Sequence, residues 1–168
     1  MPRYWIIAPY HSERRDIFDR VWSFDLKNGI ISLGYAELED THAMSEEELR
    51  SAIEREYPER KAQVKTRIFN KFWNFYHVMQ PGDRVIARRG TKTIAGVGSV
   101  AGPPYYCKDK IAEVVGQQGH AYPNHMPICW QEAPRDLRFP NIVFSIQSLE
   151  EVKEATFCDF VRQDDGNV

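Results

Sequence analysis

The feature that most limits the folds open to this chain is a pair of β-rich runs near its middle. RVIARRG (84–90) and TIAGVGSVAG (93–102) are separated by a short glycine-containing turn, which predicts a hairpin. The turn Gln80-Pro81-Gly82-Asp83 leads into it, and Pro103 and Pro104 break its second strand. Gly96 and Gly98 lie inside that strand, where glycine is unfavourable. They predict a bulge, a tight bend, or the close approach of another backbone or a ligand. A sharply curved barrel strand explains them without any ligand.

Other elements arrange themselves around this hairpin. RYWIIA (3–8) predicts a buried strand that stops at Pro9, and Ser12 or His11 then opens a helix over ERRDIFDRVW. Lys27-Asn28-Gly29 reads as a turn and IISLGY (30–35) as a second strand. Ser45 with Glu48 forms a capping box for a helix ending near Pro58. A longer helix is expected from about 59 to 79, with Val64, Ile68, Phe72, Phe75 and Met79 at helical spacing. After a loop through Gly119, MPICWQ (126–131) predicts a strand and IVFS (142–145) a further one. Ser148 with Glu151 predicts the start of a short helix, and ATFCDFV (155–161) a last one. Short strands with helices packed around them predict an α+β domain built on a small curved sheet or barrel. Its expected extent is residues 1–150, with a C-terminal helix and tail over 151–168.

Charge narrows the function classes through its distribution. The net charge of −2 excludes a generally basic nucleic-acid coat but not a local basic face. Nine acids and only two cations, Arg50 and Arg55, fall between 37 and 59. Arg60, Lys61, Lys65, Arg67 and Lys71 follow without an acid, and Arg84, Arg88, Arg89 and Lys92 stand against Asp83 alone. This pattern fits either mutual neutralisation of neighbouring faces or a phosphate-facing surface. No apolar run approaches the ~18 residues of a membrane span, and the N-terminus does not read as a signal peptide. Three widely spaced cysteines, Cys107, Cys129 and Cys158, argue against a disulfide framework and fit a reducing cytoplasm.

Catalytic signatures are weak: there is no P-loop, G-x-S-x-G or H-E-x-x-H. Glu151-Val152-Lys153 is an acid-x-Lys unit of the kind nucleases use to hold a metal, without a firm upstream aspartate. Cys107, His120, His125 and Cys129 could surround a zinc, but a buried small hydrophobe plus loop histidines explains them as simply. Aromatics are more informative: nine Phe, eight Tyr and four Trp. Many fit helix and strand core faces. Tyr10, Trp22, Tyr105, Tyr106 and Tyr122 stand instead at element ends or in loops. Taken singly, core filling accounts for each; taken together they could line a pocket. Flat π-faces in a loop-built pocket suit a nucleobase and a methyl group upon it.

Met79-x-x-Gly82-Asp83-x-Val85, then Ile94-Ala95-Gly96-Val97-Gly98-x-Val100 and Tyr105-Tyr106, resembles the central signature of the EVE and YTH branches of the PUA-like superfamily. The opening Tyr4-Trp5-Ile6-Ile7-Ala8, Tyr10-His11-Ser12-Glu13 and Val21-Trp22-Ser23 follows the same order. So does Tyr122-Pro123-x-x-Met126-Pro127-Ile128-Cys129-Trp130. The likeness covers roughly residues 3–147. It implies a PUA-like fold, a small β-barrel wrapped by helices, that needs no cofactor and reads a modified base turned out of its strand. Trp22 and Tyr122 would wall an aromatic cage, with Tyr105 or Tyr106 nearby. The Ser23 carbonyl would accept from an exocyclic amine, and Tyr10 with Ser12 or Glu13 would reach the base edge. Arg88, Arg89 and Lys92, with Arg67 and Lys71, would contact phosphates. The family further implies a non-catalytic specificity domain acting on DNA, joined to a motor or nuclease in a modification-dependent restriction system. An RNA module reading N6-methyladenine is the alternative, and a small metal-dependent nuclease or hydrolase the second. The stretch from Tyr10 to Trp22 is shorter than in YTH domains, and residues 108–119 lack a tryptophan. N6-methyladenine, 5-methylcytosine and larger cytosine adducts therefore all stay open.

Overall fold

The structure, a computed structural model, describes residues 1–117 and 119–162. In chain order it contains β1 (Tyr4–Ile7), α1 (Arg15–Asn28), β2 (Ile30–Leu33), α2 (Glu46–Glu56) and α3 (Ala62–Trp73). The hairpin strands β3 (Arg84–Arg89) and β4 (Thr93–Val100) follow, then β5 (Tyr105–Tyr106), the short α4 (Ala112–Val115) and β6 (Asn124–Trp130). β7 (Leu137–Arg138), β8 (Leu149–Val152) and α5 (Glu154–Arg162) complete it. A 3-10 turn (Ala36–Leu38) follows β2, and a π-helical turn (Asn74–Val78) extends α3.

The strands form one curled, half-barrel sheet in the order β2-β6-β4-β3-β1-β8, with β5 beside β6 and β7 beside β4. β1 runs parallel to β3, and the other pairs are antiparallel. This is an α+β fold, and its strand path ends openly at β2 and β8. Both faces of the central strands are covered. Trp5, Ile7, Val85 and Ala87 face the larger core beneath α1 and α3, whereas Ile6 and Ile86 join Ile94, Val97, Phe139, Phe144 and Phe157 on the other side. Two-sided burial explains why these strands read as continuous apolar runs rather than as alternating ones.

The hairpin forms as the sequence predicts, with a register slip between Ala87 and Arg88. Its glycines admit neighbouring protein rather than a ligand. A Cβ on Gly96 would lie 2.7 Å from the Trp22 ring, and one on Gly98 would lie 2.6 Å from Ile128. Asp83 of the Gly-Asp turn is buried, and it accepts from the backbone N–H groups of Arg3 (2.9 Å) and Gln80 (3.1 Å) and from Trp5 Nε1 (2.9 Å). It locks the start of β1 to the start of β3.

Several expectations are corrected. Helix α1 begins at Arg15 and runs on through Lys27-Asn28. Gly29, at φ 62°, is its left-handed cap, its N–H bonded to the Asp25 carbonyl. The 142–145 segment is not a strand; the Val143 and Phe144 N–H groups both reach the Thr91 carbonyl instead. Ser148 does not open a helix. Residues 149–152 pair with β1, and Glu151 meets Arg3 at 3.1 Å. Pairing with a buried strand overrides a local capping pattern. Strand β8 runs from Leu149 to Val152, and α5 contributes Phe157 to the second core. The last six residues of the expected tail, 163–168, lie outside the described residues.

Candidate functional site

Beyond the C-terminal ends of β1 and β2, residues 8–14, 34–38 and 119–123 converge around three adjoining hollows. An aromatic lobe of about 330 Å³ is lined by Gly34, Tyr35, Tyr57 and Tyr122, with His11, Glu37, Arg60 and His120 at its sides. A second lobe of about 250 Å³ holds Tyr10, His11, Ser12, Arg88, Tyr122 and Ile146. The two share His11 and Tyr122. An open cleft of about 850 Å³ shares Ser12, Gly90 and Thr91 with the second lobe and carries Arg15, Arg89, Lys92 and Arg138 against Asp19 and Asp136.

Local structure fixes each wall. Asn124, fully buried on β6, donates to the Leu33 (3.1 Å) and Gly34 (2.9 Å) carbonyls and accepts from the Tyr76 hydroxyl, which the π-helical turn brings inward. Tyr35 follows in the left-handed region at φ 63°, a conformation uncommon outside glycine. Its hydroxyl accepts from Lys71 Nζ at 3.0 Å, and its ring stands at 86° to that of Tyr57. Tyr57 in turn donates to Glu37. Tyr122 lies against Gly34, where a Cβ would come within 2.9 Å of the ring, so only glycine allows the approach. Behind it Tyr10 packs at 4.7 Å and clasps His120 through its hydroxyl, donating to the carbonyl and accepting from the N–H. Burial pushes the Tyr57 and Tyr122 hydroxyls upward, so both are neutral hydrogen-bonding groups at physiological pH. The result is a hollow walled by three phenol rings beside a cleft that carries four cations and two carboxylates.

The structure brings together Tyr10, Ser12 and Tyr122 of the residues singled out in the sequence, with Arg89 and Lys92 in the adjoining cleft. Glu13 and Arg88 line the second lobe as well, and the others lie elsewhere. Trp22 is 5% exposed and lies under Gly96, edge-on to Trp130 at 4.9 Å. As a core side chain it lines none of the three hollows. Ser23 sits mid-helix because α1 runs on to Asn28, so its carbonyl belongs to the helical ladder. Tyr105 and Tyr106 are half-buried on β5, against His125 and Asn124, away from all three hollows.

The predicted phosphate contacts divide in the same way. Arg88 is 7% exposed and donates to the Gly90 (2.7 Å) and Gln147 (2.9 Å) carbonyls, which makes it a brace for two loops. Lys71 is buried and props Tyr35, whereas Arg67 is exposed on α3 outside the hollows. Arg89 is steadied by Asp19 at 2.8 Å and by the Phe18 ring at 4.6 Å. Lys65 of the basic run pairs with Glu54 at 2.7 Å, so neutralisation accounts for part of that run.

Sequence reasoning missed Tyr35, Tyr57, His11, Arg15, Arg138 and Ile146. Tyr35 alone had a signal, an aromatic directly after the glycine that ends a strand. Neither metal reading gathers a site. His125 bonds Ser32 and the Cys107 carbonyl, and Cys129 is exposed rather than the buried hydrophobe expected. Glu151 is paired with Arg3, and among the described residues no three His, Cys, Asp or Glu side chains are placed to hold an ion.

A family model described as a domain of unknown function, DUF8426, matches residues 5–152. The chain belongs to that family. The match spans the sheet from Trp5 to Val152 and the residues that line the three hollows. No curated protein matches the sequence. Among solved structures, the YTH domain of the Zygosaccharomyces rouxii MRB1 protein, solved in complex with N6-methyladenosine RNA, is similar to this DUF8426 domain. The similarity has a TM-score of 0.48 and 11% identity, over 96% of this chain and 86% of that one.

Proposed function

We propose that this DUF8426 domain is a non-catalytic, PUA-like reader of a modified base in DNA. The observation that carries the reading is the continuity of the aromatic lobe with the cation-lined cleft through His11, Tyr122 and Ser12. A base turned out of its strand would lie against Tyr35, Tyr57 and Tyr122. These phenols take the role that the sequence resemblance gave to Trp22. Their π-faces would meet the ring and its methyl group, while His11 and Ser12 lie within reach of polar edge atoms. Arg15, Lys92 and Arg138 would then meet the flanking phosphates, which position the strand without reading it. A reader acts through an effector. Here that would be a motor or nuclease, fused or bound, as in modification-dependent restriction.

The test is fluorescence anisotropy with matched DNA and RNA oligonucleotides. They would carry no modification, N6-methyladenine, 5-methylcytosine or 5-hydroxymethylcytosine, at two salt concentrations. Selectivity for one modified DNA base is expected, and it should collapse in Tyr35→Ala. A lost base stack is worth ~1–3 kcal/mol, roughly 5- to 150-fold in affinity. Lys92→Ala and Arg138→Ala should weaken binding to every oligonucleotide and each lower the salt slope by about one. Preference for modified RNA at equal modification would move the function to RNA. Equal, purely salt-driven binding to all of them would overturn the reading.

A further inference from the structure

We propose that Ile146 is a wedge that fills the gap in a base stack when the read base leaves it, so that the domain takes its base from a duplex. This rests on the base-reading function above and adds to it the form of the substrate. Ile146 is 86% exposed, and the other large hydrophobic side chains so exposed among the described residues are Met1 and Ile142. It stands on the wall of the second lobe, which shares residues with both the aromatic lobe and the cationic cleft.

Its position is held from both sides. On one side Phe144 is buried in the second core, its N–H bonded to Thr91, and the Ser145 hydroxyl meets Glu150. On the other, the Gln147 carbonyl accepts from Arg88 at 2.9 Å and the Ser148 carbonyl from the Ala8 N–H at 2.9 Å. A buried guanidinium is thus committed to fixing the backbone beside an isoleucine that points into solvent. A rigid, isolated apolar side chain among polar neighbours is too small a patch for a protein partner. On a face whose cations attract phosphates, it meets bases. Apolar wedges that enter a base step do so where stacking must be replaced, which a duplex requires and a single strand does not.

The experiment compares wild type, Ile146→Ser and Ile146→Leu. The probes are duplex and single-stranded DNA 14-mers with N6-methyladenine or 5-methylcytosine at the centre and 2-aminopurine beside it as a reporter of unstacking. Wild type should unstack the duplex reporter. Ile146→Ser should lose about tenfold more affinity for the modified duplex than for the single strand, together with that signal, and be rescued by leucine. An equal loss on both substrates, or no loss on the duplex, overturns the wedge while leaving the base reading intact. Absence of selectivity in wild type for these two modifications and for 5-hydroxymethylcytosine at the same position, on both substrates, overturns the base reading and the wedge with it.

Discussion

His125 ties the stability of this domain to pH in a way that can be worked out from its contacts. A carbonyl can only accept, so the bond to Cys107 (3.1 Å) places the ring proton on Nε2, and Nδ1 accepts from the Ser32 hydroxyl at 2.8 Å. Burial pushes the imidazole down from 6.5 to about 4; the Cys107 bond opposes the shift, and Lys110 adds a little to it. A depressed value means that the unfolded chain takes up the proton first as pH falls. The contribution is therefore fully present above pH 6.5 and is lost as pH falls toward about 4. One proton corresponds to ~1.4 kcal/mol per pH unit, and the whole window to about 3 kcal/mol.

Asp25 runs the other way. Its carboxyl is buried on α1 without a hydrogen-bond partner, and burial raises it well above 3.8. Its contribution is complete below pH 3.8 and is lost as pH rises toward the folded value. Across the shared range the two slopes oppose each other and flatten the wild-type profile. Urea denaturation of wild type, His125→Gln and Asp25→Asn at several pH values between about 4 and 7.5 separates them, because the remaining carboxylates cancel in the differences. The stability difference between wild type and His125→Gln should grow by about 3 kcal/mol as pH rises through the window and then level off. The difference against Asp25→Asn should change in the opposite sense. A His125 difference curve that is flat with pH refutes the burial argument.

The other predictions concern packing and its bearing on the site. Trp22→Ala should cost about 3–5 kcal/mol in denaturant unfolding, as a cavity in the core does; an unchanged midpoint would remove Trp22 from the core. Asp83→Ala leaves two backbone N–H groups and the Trp5 indole without an acceptor, and should cost about 2–4 kcal/mol. Gly34→Ala drives a methyl into the Tyr122 ring. It should weaken modified-base binding at least tenfold, or ~1.4 kcal/mol, and full binding in that variant would detach Tyr122 from the ligand.

The sequence made the framework legible where local and tertiary preferences agree. The capping box at Ser45 and Glu48 forms with both of its bonds, and the hairpin pairs as its runs and turn predict. It failed where a tertiary partner decides. Ser148 and Glu151 spell a helix start but lie beside β1, and Lys27-Asn28-Gly29 spells a turn but caps a helix. The site was legible only in part for a related reason. Trp22 and Tyr35 are both aromatics near the end of an element, and nothing local separates the one that fills the core from the one that lines a slot. What separates them is the length of α1, which places Trp22 on its inward face, and the left-handed turn at Tyr35, which lifts that ring out. The basic run divided likewise. Lys71, Arg88 and Lys65 found oxygen partners, whereas Arg15 and Arg138, far apart in sequence, meet across the cleft only once β7 pairs with β4.

The walls of the site share one construction principle. Three buried polar side chains each hold the backbone beside a wall: Asn124 the carbonyls before Tyr35, the Tyr10 hydroxyl the peptide of His120 two residues before Tyr122, and Arg88 the carbonyl next to Ile146. Burying such groups costs free energy that an apolar replacement of similar shape would not. Core stability alone gives no reason to keep three of them at one end of the sheet. Pre-organisation does, because a slot whose walls are already ordered spends less of its binding energy on ordering them. The same logic accounts for the strained Tyr35. Its left-handed backbone is tolerated because Asn124 fixes the chain on one side and Lys71 holds the phenol on the other. The cost of that conformation is met by the fold before any ligand arrives.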